Sequence, residues 1–497
     1  MTPVARSLSM AQFNQLDATQ TPLLDALRAA ATRPHAPFYT PGHKRGEGIS
    51  PRLAALFGTE VFRADLPELP DLDNLFAPEG VIRAAQDLAA IAFGAGETWF
   101  LANGSTCGIQ AAVLAACSPG DSLILPRNAH RCAIAALILS GAMPVFVSPE
   151  LDSQGQIPLG VSPEAIAQAL DQHPAAAVLL VSPTYHGVSS DLQAIAPLVH
   201  SYDLPLIVDE AHGAHFAFHP QFPQTAIAAG ADLAVQSIHK TLGAMTQAAM
   251  VHSHLHSRMD RDRFVDSLAL VQSSSPSYLL LASLDAARHQ MAIDGERLMA
   301  QTLDLADWAR LELSKIDGVR IWTPPTGTLW DRTRLTLDVS GLGWTGFAAD
   351  EYLHQTLGVT AELPSLHHLT FVISLGNTRE DLRHLVQGIQ TLAQDKRSPL
   401  SLPSFPLPSL QVPILSPRQA FFSRRRTVPV SDAIGQVCAE LICPYPPGIP
   451  VLMPGEPITI EAIAYLTQIC TMGGTITGCA DPTLQTLTIV EEAIALP

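Results

Sequence analysis

From Glu79 to about Thr241, short unbroken apolar runs alternate with longer segments rich in alanine and leucine. The runs Thr98–Leu101, Ser122–Leu125, Pro144–Val147, Ala177–Val181, Leu206–Val208 and Asp232–Val235 predict strands. They are continuous rather than alternating, as expected of strands buried on both faces. The segments between them read as helices, so the pattern predicts an α/β fold with a mainly parallel sheet. In such sheets ligands sit beyond the carboxyl ends of the strands. Ser182-Pro183-Thr184-Tyr185, Asp209 and the stretch Ser237–Lys240 are expected there.

Outside this block the pattern changes. Residues 1–20 read as a mobile arm, and Thr21-Pro22 opens a helix with threonine as N-cap and proline at its first position. A long helical pattern runs from Ser283 through Arg310. Residues 398–417 are rich in proline, serine and leucine, a density of proline that predicts a linker and not a regular element.

Composition narrows the class. At 497 residues with 47% hydrophobic and 15% charged positions, the chain predicts two or three domains with well-buried cores. A formal net charge of −17 offers no basic face for a nucleic acid. Seven scattered cysteines without a CxxC pair suit reduced thiols in a cytoplasm. Met1–Gln20 has no basic segment followed by an apolar one, so no signal peptide is expected. Cys132–Val147, the longest apolar tract, is broken by Ser140, Gly141 and Pro144 and predicts no membrane span.

The candidate chemistry centres on Ser237–Met250, a stretch whose one charged side chain is Lys240. The chain has four lysines, at 44, 240, 315 and 396. An amine among small apolar groups loses hydration and is held closer to its neutral, nucleophilic form. Standing alone, the stretch would better suit a strand-end lysine whose amine reaches solvent. Upstream, Leu206–Asp209 is an apolar strand ending in a carboxylate. Further upstream, Asn103–Gly108 reads as a glycine-bracketed hydroxyl loop running into a helix at Ile109–Ala116, an arrangement suited to phosphate.

Phosphate cradle, strand-end aspartate and isolated lysine, in that order, resemble the fold-type I pyridoxal-phosphate enzymes. Ser237-Ile238-His239-Lys240-Thr241-Leu242, Thr246-Gln247-Ala248, Pro41-Gly42-His43-Lys44, Leu72-Asp73-Asn74-Leu75, Pro78-Glu79-Gly80 and Ser275–Leu280 are similar to motifs of the Orn/Lys/Arg decarboxylase family. The resemblance implies pyridoxal 5'-phosphate held by Ser105, Thr106, Ser237 and His239 at its phosphate. It implies covalent attachment to Lys240, Asp209 at the ring nitrogen, His212 near the ring hydroxyl, and His130 stacked on the ring and able to return a proton. Arg127 and Arg131 remain open as anchors for a carboxylate or phosphate. The implied organisation is an arm and first helix over 1–35, a cofactor-binding large domain over 36–299, and a small α/β domain over 300–397. The linker at 398–417 then leads to a C-terminal α+β domain over 418–497. Some family members carry a wing domain before the Pro41–Lys44 region, for which this sequence has no room.

The expected reaction is decarboxylation of a basic amino acid to agmatine or a diamine. Arginine is favoured over lysine and ornithine, because the short architecture resembles arginine-using relatives. The acidic stretch Ala64–Asp73 suggests Asp65 and Glu68 as partners of the distal cation, although a solvated acidic loop fits it as well. Ser273–Tyr278 resembles a segment at a subunit boundary, so a homodimer with shared active sites is expected. Transamination and a catalytically idle regulatory homologue are the rival readings. No metal is expected. His252, His254 and His256 would share one face of a strand, and His212 and His215 lie near Asp209 and Glu210, but neither group has a zinc signature. Phe93–Gly96 lacks the rest of a dinucleotide fingerprint.

Overall fold

The computed structural model describes residues 17–152, 157–395, 397–400, 408–445 and 450–493. Most of the expected arm, Lys396 and residues 401–407 of the proline-rich segment lie outside them. In chain order the main elements are α1 (Pro22–Thr32), α2 (Val81–Phe93), β1 (Glu97–Leu101), α3 (Gly104–Ala116), β2 (Ser122–Pro126) and α4 (Arg131–Ser140). Next come β3 (Met143–Val147), α5 (Pro163–Gln172), β4 (Ala177–Val181), α6 (Leu192–Ser201), β5 (Leu206–Asp209), β6 (Leu233–Gln236) and β7 (Ala249–Ser253). They are followed by α7 (Tyr278–Leu313), β8 (Arg334–Asp338), α8 (Gly346–Leu357), β9 (His368–Val372) and α9 (Arg379–Gln394). The last are β10 (Arg424–Pro429), α10 (Ile460–Thr471) and β11 (Thr486–Glu492).

The chain divides into two compact units. One comprises the residues up to Ala115 with Ile207–Met299, the other Ala116–Leu206 with the residues from Ala300. In the first unit the strand order is β1-β7-β6-β5. β5 runs parallel to β6, with Val208 opposite Ala234 and Asp209 opposite Val235. β7 runs against both β6 and β1, pairing His252 with Ala234 and with Thr98. α3 packs closely on this sheet. A Cβ at Gly108 would lie 2.8 Å from Leu101 and Val235 and 2.9 Å from Val251, so only glycine permits the approach.

α1 is fastened from far along the chain. Thr21 precedes it and Pro22 is its first residue, but the Thr21 hydroxyl turns to Asp25 and leaves the cap unmade. The buried carboxylate of Asp285 instead accepts the Leu23 and Leu24 N–H groups at 3.0 and 3.3 Å. Arg288, equally buried, pairs with Asp285 and donates to the Ala18 and Gln20 carbonyls.

In the second unit β4, β2 and β3 are parallel neighbours. A four-stranded antiparallel sheet includes β8 and β9, and its core brings Leu335, Leu337 and Leu369 together with Leu353 of α8 and Leu385 and Ile389 of α9. β10 and β11 form an antiparallel pair over a core that includes Leu466 of α10 and Leu487. No regular element occurs at 397–400 or 408–415.

Three sequence expectations are corrected. Asn103–Gly108 is not a loop, because the helix starts at Gly104 rather than Ile109. The long helix starts at Tyr278, not Ser283. β7 ends at Ser253, so His254 and His256 fall in a turn and do not share a strand face with His252.

Candidate active site

The first unit gathers most of the expected site residues at strand ends. Asp209 closes β5, and Ser237 follows β6 as the N-cap residue of the single turn Ile238–Thr241 that carries Lys240. The Lys240 Nζ lies 3.1 Å from His212 Nε2. An ammonium and an imidazolium would repel at this distance, so at least one partner is neutral and the contact can hold a single shared proton.

The Ser237 hydroxyl donates to Ser105 Oγ at 2.8 Å, joining the end of β6 to the first turn of α3. Ser237 is fully buried, Ser105 half-buried and Thr106 exposed. Gly104, at φ +76°, lets the chain turn from β1 into the helix. The N-terminal N–H groups of this 13-residue helix and the two serine hydroxyls form a donor set suited to an anion. His239 turns Nδ1 toward the Ala248 carbonyl, 3.0 Å away. Burial holds its pKa below the ordinary value, opposed by that hydrogen bond and aided by Lys240.

Asp209 is buried and accepts the Ala211 N–H at 3.2 Å. Its neighbour Glu210 is pushed up to about 8 by burial. It accepts the Ala226 N–H and the Gln236 side-chain N–H, each at 2.8 Å. Gln236 reaches His252 Nε2 at 3.1 Å, and His252 Nδ1 meets Thr98 Oγ1 at 2.8 Å. With both ring nitrogens engaged and its ring stacked on Phe93 at 4.6 Å, His252 is a core histidine and not a ligand. No local signal reveals this network, because its members are far apart in sequence.

The second unit holds His130, which caps α4 by accepting the Cys132 N–H at Nδ1. Arg127 is engaged structurally. Its guanidinium pairs with Glu456, donates to the Val451 carbonyl at 2.8 Å and stands over Phe146.

The acidic stretch is internally bonded. Asp65 Oδ2 is 3.0 Å from His43 Nε2. Glu68 accepts the Asn74 side-chain N–H at 3.0 Å and the Leu75 N–H at 3.3 Å. Asp73, at φ +70°, caps the start of α2 by accepting the Gly80 and Ile82 N–H groups at 2.7 and 3.1 Å. Tyr278 is buried and donates to the Asp73 carbonyl at 2.6 Å.

No helix among the described residues is long and apolar enough to cross a membrane. The family model for the Orn/Lys/Arg decarboxylase major domain matches residues 21–349, and that for the C-terminal domain matches 407–487. An arginine decarboxylase of Bacillus subtilis is 37% identical over 491 residues, covering 96% of this chain and 99% of the relative. One from Halalkalibacterium halodurans is 38% identical over 489 residues, with the same coverage. The solved structure of lysine decarboxylase A from Pseudomonas aeruginosa superimposes with a TM-score of 0.82 at 22% identity, over 97% of this chain and 82% of that one. The fold is therefore that of the fold-type I pyridoxal-phosphate enzymes. Matched in both domains, and alike to these relatives from end to end, the chain belongs to the Orn/Lys/Arg decarboxylase family.

Proposed function

We propose that this protein uses pyridoxal 5'-phosphate to decarboxylate a basic amino acid, arginine before lysine or ornithine, to CO2 and agmatine. The observation that carries the reading is the Lys240–His212 contact of 3.1 Å on the turn that begins with the Ser105–Ser237 pair. The donor set fits the cofactor: an amine for its aldehyde, hydroxyls and a helix N-terminus for its phosphate, and a buried carboxylate, Asp209, for its ring nitrogen. When bound, the cofactor supplies an electron sink for the charge left at Cα as CO2 departs.

The residues of the chain do the rest. Lys240 offers a primary amine whose proton can pass to His212. Asp209, buried, holds a proton at the facing nitrogen. Ser105, Thr106 and Ser237 bind phosphate oxygens. His239 donates its Nδ1–H to the Ala248 carbonyl, so its Nε2 can donate to a phosphate oxygen only as the imidazolium, the form that the phosphate's negative charge favours. For His130 the ring-stacking and proton-returning role rests on the resemblance of Pro126–Arg131. Its Nδ1 accepts a backbone N–H, so Nε2 is its proton-bearing atom in the neutral ring.

For the distal cation, Asp65 suits the role better than Glu68. Asp65 faces a histidine that can give way, whereas Glu68 holds its own loop through Asn74 and Leu75. A homodimer in the cytoplasm is the proposed form. The short helix Pro51–Phe57 has no buried residue, and Leu56 and Phe57 are 74% and 60% exposed, surface that a second copy would cover. Light scattering that finds an active monomer would refute the dimer.

Incubation with arginine, lysine and ornithine in the presence of the cofactor, with identification of the product, tests the reaction. Agmatine and CO2 are expected from arginine. A keto acid without CO2 would mean transamination instead.

A further inference from the structure

The two faces of the first unit's sheet carry different chemistry at the same strand ends. Gly108 places α3 against Leu101, Val235 and Val251. Asp209 pairs opposite Val235 and therefore lies on that face, as does Ser237, two residues beyond Val235. On the opposite face a row of buried polar groups crosses all four strands. Glu210 follows β5, Gln236 ends β6, His252 lies in β7 and Thr98 in β1, and none is more than 2% exposed. Each link is a hydrogen bond of 2.8 to 3.1 Å. The members linking Glu210 to Thr98 are uncharged side chains.

We propose that Glu210 and Gln236 are positioning residues: the row Glu210–Gln236–His252–Thr98 fixes the strand ends whose other face presents Asp209 and Ser237. The proposal rests on the cofactor reading above and adds to it the part of the chain that holds the donor set still. Glu210 adjoins Asp209 and Gln236 adjoins Ser237, so displacement of either side chain moves the backbone of a cofactor-facing residue. Ala226 fixes the far oxygen of Glu210, and Phe93 stacks on His252, so the row is anchored along its length. An apolar set of the same size would bury more comfortably. A row of polar groups defines register across strands in a way that apolar packing does not.

The row also tolerates one substitution by its own chemistry. The Gln236 amide can turn to offer its oxygen to a donor at position 210 while its NH2 group serves His252 Nε2. Burial favours the protonated carboxyl at Glu210, which is such a donor. A glutamine at 210 is another. It would accept from Ala226 and donate to Gln236, keeping the row intact.

The test compares Glu210→Gln, Glu210→Ala and Gln236→Leu with wild type. Each protein is stripped of cofactor and titrated with pyridoxal phosphate by visible absorbance. Amide exchange over 206–212 and 233–240 is measured in the cofactor-free state. The alanine and leucine variants should bind the cofactor about tenfold or more weakly, the order of loss seen when a hydrogen bond supporting a metal ligand is removed. Their exchange should quicken in both peptides, while Glu210→Gln stays close to wild type in both readouts. If Glu210→Ala and Gln236→Leu bind as tightly as wild type with unchanged exchange, the row is only structural and the proposal fails, whatever happens to the melting temperature. Should Glu210→Ala not fold, Gln236→Leu decides, because it leaves the Ala226 bond in place. Wild type that binds no pyridoxal phosphate would end the cofactor reading, and the exchange measurement would still decide the row.

Discussion

Arg127 presents its guanidinium to the carboxylate of Glu456, 329 residues further along the chain. The Nη2–Oε2 distance is 2.9 Å, Glu456 is fully buried, and its Oε2 also accepts the Met453 N–H at 3.1 Å. Removing one member of such a pair leaves the other charge buried and unmatched, at a cost of about 3–5 kcal/mol. Glu456→Ala and Arg127→Ala should each lower the urea midpoint by an amount of this order. The double variant should lose less than the sum. Full additivity would mean that the two groups do not depend on each other.

Reduction of the cofactor-loaded protein with borohydride should fix the label on the peptide that contains Lys240. Lys240→Ala should lose turnover almost completely and leave no labelled peptide. A label on Lys44 would remove the assignment. Lys44 donates to the Tyr39 carbonyl in a loop where it and Arg45 have φ of 49° and 61°.

His186 and His252 are held down to about 3, and His368 to about 4, chiefly by burial. Each folded value lies below that of the unfolded chain, so unfolding takes up protons at mildly acidic pH. Their contribution is present above about pH 6.5 and is lost as the pH falls toward 4 or 3, at up to about 1.4 kcal/mol per unit for each group. Urea midpoints measured from pH 7.5 to 4.5 should fall. His252→Gln, which can still meet Gln236 and Thr98, should fall less steeply. Parallel curves for the two proteins would show that His252 does not titrate on unfolding.

Neutralising Asp65 should raise the apparent KM for arginine by about tenfold or more while leaving kcat within a few-fold, the mark of a group that binds substrate and transition state alike. Asp65→Asn retains the shape and loses the charge. Wild-type kinetics in that variant would exclude Asp65 as the specificity element. Preferential turnover of lysine would overturn the substrate assignment alone.

The sheet was legible because its strands are apolar on both faces. All six predicted runs are strands, with ends within about two residues. β7 escaped prediction because His252 interrupts its apolar run, and the ring is accommodated only by tertiary partners, Gln236, Thr98 and Phe93. The start of α3 was read as a loop because Gly104, Ser105 and Gly108 are poor helix formers. Their reasons are tertiary, since Gly108 allows helix and sheet to touch and Ser105 meets Ser237, 132 residues away. Which arginine serves structure could not be read locally either, because the deciding carboxylate at 456 lies in a different part of the sequence. Lys240 stood out for a local reason, its isolation in an uncharged stretch.

The carboxylate that completes the first turn of α1 belongs to Asp285, 262 residues after Leu23. A ribosome adding about 5–20 residues per second takes on the order of 10–50 s to travel that distance. For all of that time Pro22–Thr32 lacks the partner of its first amides, and Arg288, which holds the preceding carbonyls, has not been made. A helix made early is thus not secured until more than half of the 497 residues have been joined. A nascent chain arrested before Asp285 should present Pro22–Thr32 to proteases that the released protein resists.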